Sequence, residues 1–193
     1  MMQSIKKYNK DYSNDKLEEI EYGLEVIYLL ITKTIVIVGL SFLFGIAIEM
    51  LMMLFFYNLL RMYGFGLHAS KSWMCWVSSI IIFLLLPYLA KIIIIGYVYK
   101  IIILGLCVIN LFLFAPADTH KRPLIKKSRR VKFKYTTFIL SLIFSYICLL
   151  SKNEMLSNCI IFALIVEGVM VNPLVYKIFK LPYNNYKTYK HSV

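Results

Sequence analysis

Apolar residues in this chain gather into long runs instead of the one-sided stripes of a water-facing helix. Six runs stand out: Leu24–Phe44, Ile46–Leu60, Trp73–Leu89, Ile92–Ala115, Tyr135–Ser151 and Ser157–Tyr176. An α-helix needs about 20 apolar residues to cross a hydrocarbon core of roughly 30 Å. The fourth and sixth runs meet that length, whereas the second, third and fifth are short and would need a thinned bilayer or a start at its surface. The pattern predicts an all-α polytopic membrane bundle of about six helices, four to six of them full spans. Gly39 and Gly45 mark candidate bend points at which the first two runs would form one bent unit. Ahead of them, Ile5, Tyr8, Tyr12, Leu17 and Ile20 recur at helical intervals among charges of both signs. Residues 1–22 therefore read as an amphipathic N-terminal helix lying in the membrane interface.

Composition supports the membrane reading. Apolar and aromatic residues make up 60% of the chain, against about half in a soluble domain, and mean hydropathy is +0.71. The runs cover the whole length, so a single membrane domain, 1–193, is expected instead of one anchor on a soluble body. Met1–Lys16 has no apolar core ahead of a small-residue cleavage site, and the expectation is a mature chain starting near Met1.

Charge predicts orientation. If the N-terminus is cytosolic and all six runs span, Met1–Gly23, Arg61–Ser72, Pro116–Lys134 and Lys177–Val193 face the cytosol. They carry eighteen of the 22 Lys and Arg residues, as the positive-inside rule requires. Both termini are then inside. The Pro116–Lys134 loop holds eight of these cations, including Lys126, Lys127, Arg129 and Arg130. Setting topology against anionic headgroups is its simplest role; docking an acidic peptide is the functional alternative. Its shortness between two spans and lack of a binding fold argue against nucleic acid.

Four cysteines are present, with no CxxC pair. Cys107, Cys148 and Cys159 sit inside apolar runs, where cysteine acts as a small hydrophobe. Cys75 differs. It lies at the start of the third run, with Ser72 placed to cap that helix and Lys71 adjacent. A helix N-terminus beside a cation is the setting in which reactive cysteines occur. His68 precedes it by seven residues, about 10 Å along one continuous helix and too far for proton transfer. The chain must turn between them, and Gly64 and Gly66 lend freedom just before His68. Alone, a His-x6-Cys pair is a weak signal. A metal site is weaker still, since His120 is the one other ligand type near that face, and no cofactor motif is present.

The stretch RMYGFGLHASKSWMC at 61–75 resembles the reactive segment of the accessory gene regulator B (AgrB) family, membrane cysteine endopeptidases of Gram-positive quorum sensing. An arginine, a glycine just ahead of a His-Ala pair and a cysteine seven after the histidine form the family pattern. Arg61, Gly66, His68, Ala69 and Cys75 match it. FAPADTHKRPL at 114–124, followed by a basic run, resembles the family's central loop. Many members carry two adjacent glycines where Phe65 and Gly66 stand; Gly64 is expected to replace the lost flexibility.

The resemblance implies a catalytic His68–Cys75 dyad acting on an AgrD-like propeptide with an acidic C-terminal tail. Cys75 would form a thioester acyl-enzyme and release the tail, and a cysteine or serine of the peptide would close a thiolactone or lactone ring. It also implies a homodimer. Glu25, loosely aligned with a polar family position, is a candidate to orient His68. Arg61 is open to two roles, holding an acidic substrate or stabilising the loop. Lys126, Lys127, Arg129 and Arg130 are candidates for the tail. Glu25, Glu49, Glu167 and Lys33 are costly facing lipid and are expected to pair inside the bundle. The competing reading is a non-enzymatic transporter or peptide exporter, which should show repeated halves; none is evident.

Overall fold

A computed structural model describes residues 14–67, 72–119 and 123–187, with the side chains of 14–19, 21–22 and 25–26 outside that description. Most of the expected N-terminal segment, His68 and the Glu25 side chain therefore lie outside the described residues. The described chain folds mainly into helices: α1 Asn14–Leu43, α2 Ala47–Gly64, α3 Ser72–Ile92, α4 Tyr97–Phe114, α5 Lys127–Leu150, α6 Glu154–Val171 and α7 Pro173–Ile178. The helices α3, α4, α5 and α6 are each long and apolar enough to cross a membrane. In α1 the apolar part is Ile27–Leu43. In α2 the run is interrupted by Glu49, Asn58 and Arg61.

Several boundaries differ from the sequence reading, each for a physical reason. No break falls near Gly23: from Asn14 the amphipathic stretch runs unbroken into the first apolar segment. Between α1 and α2 the chain turns at Gly45, whose φ of +62° suits glycine; Gly39 stays helical. The third segment gains a π-helical turn at Ile81–Leu85, just before Pro87. A π-turn absorbs the missing N–H and the ring of an internal proline. The basic run from Lys127 forms the first turns of α5 instead of a loop. The sixth segment stops at Val171, because Asn172 caps a new short helix opening on Pro173.

At the centre stands α6. It packs against α2, α4, α5 and the second half of α3, and its buried residues point in every direction: Asn158, Cys159, Ile160, Ile161, Leu164, Glu167 and Val171. Met53, Phe56, Leu60, Leu104, Leu111 and Phe144 complete the main core. Away from this core, large apolar side chains such as Leu43, Ile94, Ile102, Leu106 and Ile139 are exposed. This outward apolar shell suits lipid and not water. At one end of the bundle, Lys91 donates to Gly45 O at 2.6 Å and lies 3.6 Å from Glu49. Lys100 meets Glu154 at 2.7 Å, and Asn158 donates to the carbonyls of Ala90 and Ile93 that end α3. The expected internal pairing of Glu49 is thus present. The peripheral helix α1 packs on α2 and on the π-turn of α3, leaving a cleft toward the opposite end.

Candidate functional site

The reactive segment begins where α2 ends. Arg61 lies one turn before Gly64, and its guanidinium donates to the carbonyls of Phe65, Gly66 and Leu67, at 3.1 Å for Gly66. One arginine thereby holds the backbone immediately preceding His68. Behind it, Glu167 of α6 lies 3.7 Å from Arg61 and is fully buried. The two glycines fit against α6. A Cβ on Gly64 would stand 2.3 Å from the Glu167 carboxylate, and one on Gly66 would stand 2.7 Å from Met170 O. Gly66 also has φ +88°. Gly64, by contrast, is helical: its part is close approach, not flexibility. The departure at Phe65 is met by Phe65 itself, which takes φ +62° and stacks its ring on Phe133.

The second motif meets the first. Ala117 N–H donates to Gly64 O at 3.0 Å, and Gly66 N–H donates to Ala117 O at 2.7 Å. Leu67 N–H is taken by Met170 O at 2.9 Å. Beside Ala117, the Asp118 carboxylate is 3% exposed and accepts the N–H groups of Leu124, Asn185 and Tyr186. Tyr183 donates to Phe114 O, and Tyr176 reaches the carbonyls of Ala117 and Asp118. Burial pushes both phenols up, so they remain neutral donors. Asp118 thus ties the post-α4 loop, the approach to α5 and the C-terminal segment into one support for 64–67.

Cys75 stands on the first turn of α3. The described helix opens at Ser72 itself, one residue earlier than capping by Ser72 would place it. Its thiol is half-buried, whereas Cys107, Cys148 and Cys159 are buried. It lines a cavity of about 770 Å³ between α1, α2, α3 and the α6–α7 corner, shared with Lys33, Tyr57, Arg61, Leu67 and Met170. The walls are mostly apolar. The Lys33 ammonium, from α1, donates to Cys75 Sγ at 3.3 Å. Lys33 has no carboxylate partner among the described residues. Cys75, Arg61 and Leu67 are thus brought to one cavity.

The basic residues divide. Lys126, Lys127 and Arg129 are exposed, with Arg129 over the Phe133 ring. Arg130 instead serves the fold, donating to Leu124 O and Ile125 O and stacking on Tyr186. Among the described residues, no cluster of three His, Cys, Asp or Glu stands close enough to hold a metal. Sequence reasoning did not find Asp118 as a hub or Lys33 beside Cys75. Asp118 carried a signal, as an acid inside the second motif; Lys33 carried only the cost of a charge in an apolar run.

Comparison with known proteins gives the family. The profile of the family described as accessory gene regulator B matches residues 1–171. The chain is 33% identical over 172 residues to an AgrB-like protein of Listeria monocytogenes, covering 89% of this chain and 84% of that protein. It is 29% identical over 191 residues to an AgrB-like protein of Clostridium acetobutylicum, covering 97% and 90%. It is 32% identical over 139 residues to the accessory gene regulator protein B of Staphylococcus carnosus, covering 71% and 73%. No solved structure matches. With its helical membrane bundle and its two paired motifs, the chain belongs to the accessory gene regulator B family of quorum-sensing membrane proteins.

Proposed function

We propose that this protein is a multi-pass membrane cysteine endopeptidase that removes the acidic tail of an AgrD-like propeptide. The observation carrying the proposal is the placement of Cys75. It is the one half-exposed cysteine, on the first turn of α3, facing an apolar cavity whose rim is the clamped loop leading to His68. The Cys75 sulfur attacks the carbonyl joining signal segment and tail. His68 takes the thiol proton and returns it to the departing amine. The acyl group stays on Cys75 as a thioester until a nucleophile of the peptide displaces it and closes the ring. Mostly apolar walls limit hydrolysis of that thioester.

The cation distribution supports cytosolic termini and a cytosolic site. Lys126, Lys127 and Arg129 form the exposed basic face that attracts an acidic tail, chiefly raising encounter rate. The test is co-expression with a small acidic-tailed peptide encoded beside this gene. Tail removal should occur with the intact protein and stop in Cys75→Ala and in His68→Ala. Continued removal in both variants contradicts the proposal.

A further inference from the structure

Acyl transfer at Cys75 needs more than a nucleophile and a base. When the sulfur bonds to the carbonyl carbon, the C=O electrons move onto oxygen and create an oxyanion. Collapse restores C=O and breaks C–N, and the amine leaves with a proton. Something must hold the oxyanion between these events, usually a preorganised donor 2.7–3.1 Å from it. In this apolar cavity, water is a poor candidate.

We propose that Lys33 is that donor, a catalytic residue supplied by α1; the inference rests on the cysteine-peptidase reading above. Three observations converge. The Lys33 ammonium already lies 3.3 Å from Cys75 Sγ, and the oxyanion forms only two bonds from that sulfur, within reach of a lysine stem. The ammonium lines the same cavity as Cys75. Finally, Lys33 sits within the apolar part of α1, Ile27–Leu43, where a charge is costly and marks function unless it is paired. Lys91 and Lys100, toward the other end of the bundle, each face a glutamate; Lys33 faces the sulfur. Its charge offsets a negative charge that appears only during reaction, first in acylation and again when the peptide nucleophile attacks the thioester.

Two small probes separate this role from others in the purified full chain. p-Nitrophenyl acetate acylates Cys75 through an oxyanion; iodoacetamide alkylates it by displacement without one. Both require the thiolate, so the ratio of the two rates cancels any effect on thiol ionisation. The Cys75→Ala background is subtracted from each. Lys33→Met should lower the acylation-to-alkylation ratio about 10²-fold, the scale of losing one oxyanion donor. Lys33→Arg should return it to within about ten-fold of the native ratio. Should Lys33→Met fail to fold, Lys33→Gln carries the same comparison. An unchanged ratio in the neutral variant overturns the role of Lys33 while leaving Cys75 as nucleophile. Equal acylation by native protein and Cys75→Ala instead overturns the cysteine-peptidase reading itself.

Discussion

Arg61 and Glu167 form a buried pair, 3.7 Å apart, that joins the end of α2 to α6 beneath the reactive loop. The same guanidinium donates to the carbonyls of 65, 66 and 67. The arginine thereby joins the loop backbone to α6. Removing one partner of a buried pair costs about 3–5 kcal/mol, since the other is left uncompensated. Glu167→Met and Arg61→Met should each lower the unfolding midpoint in detergent and slow processing. The double variant should lose less than the sum of the two; strict additivity would show that the pair is not coupled.

The glycines give a graded series. Gly66→Ala places a Cβ 2.7 Å from Met170 O at φ +88°, and Gly64→Ala places one 2.3 Å from the Glu167 carboxylate. Each should destabilise by about 1–3 kcal/mol and slow processing. Gly105, inside α4, has nothing within 4 Å of an added Cβ. Gly105→Ala should be neutral or stabilising by up to about 1 kcal/mol. Thermal unfolding of the three variants in one detergent decides the order.

Asp118 makes a prediction about the C-terminal segment. Asp118→Ala leaves three backbone N–H groups without their acceptor, at about 1–3 kcal/mol for each that stays buried. The segment should loosen before the bundle does. Limited trypsin cleavage at Lys180 or Lys187 should accelerate at least about ten-fold, with the helical core intact; an unchanged cleavage rate would show that the segment is held by other contacts.

Much of this was legible in the sequence. The apolar runs located the helices, and the start of the third run singled out Cys75 from three core cysteines. What escaped depends on distance along the chain. Lys33 and Cys75, or Arg61 and Glu167, share no local pattern, because helix packing alone brings them together. Gly64 showed the same limit: its spacing suggested flexibility, whereas the carboxylate of α6 demands its missing side chain. The end of α6 was legible in Asn172–Pro173, a capping residue before proline, but a continuous apolar run hid it. The His68 to Cys75 turn falls outside the described residues.

The basic residues should separate by role. Lys126→Glu, Lys127→Glu and Arg129→Glu together should raise KM for an acidic-tailed substrate, with little change in kcat and with a difference that shrinks as salt increases. Arg130→Glu should instead lower stability, since Arg130 holds the Leu124 and Ile125 carbonyls. A salt-independent KM in the triple variant would remove the exposed face from substrate binding.

The central claim is that Cys75 carries the acyl group. Native protein mixed with propeptide, quenched in acid and digested, should yield a Cys75 peptide bearing the signal segment through a bond that hydroxylamine cleaves. The adduct should be absent in Cys75→Ala, together with the released tail. Release of the tail by Cys75→Ala, or an adduct on any other residue, would contradict the account.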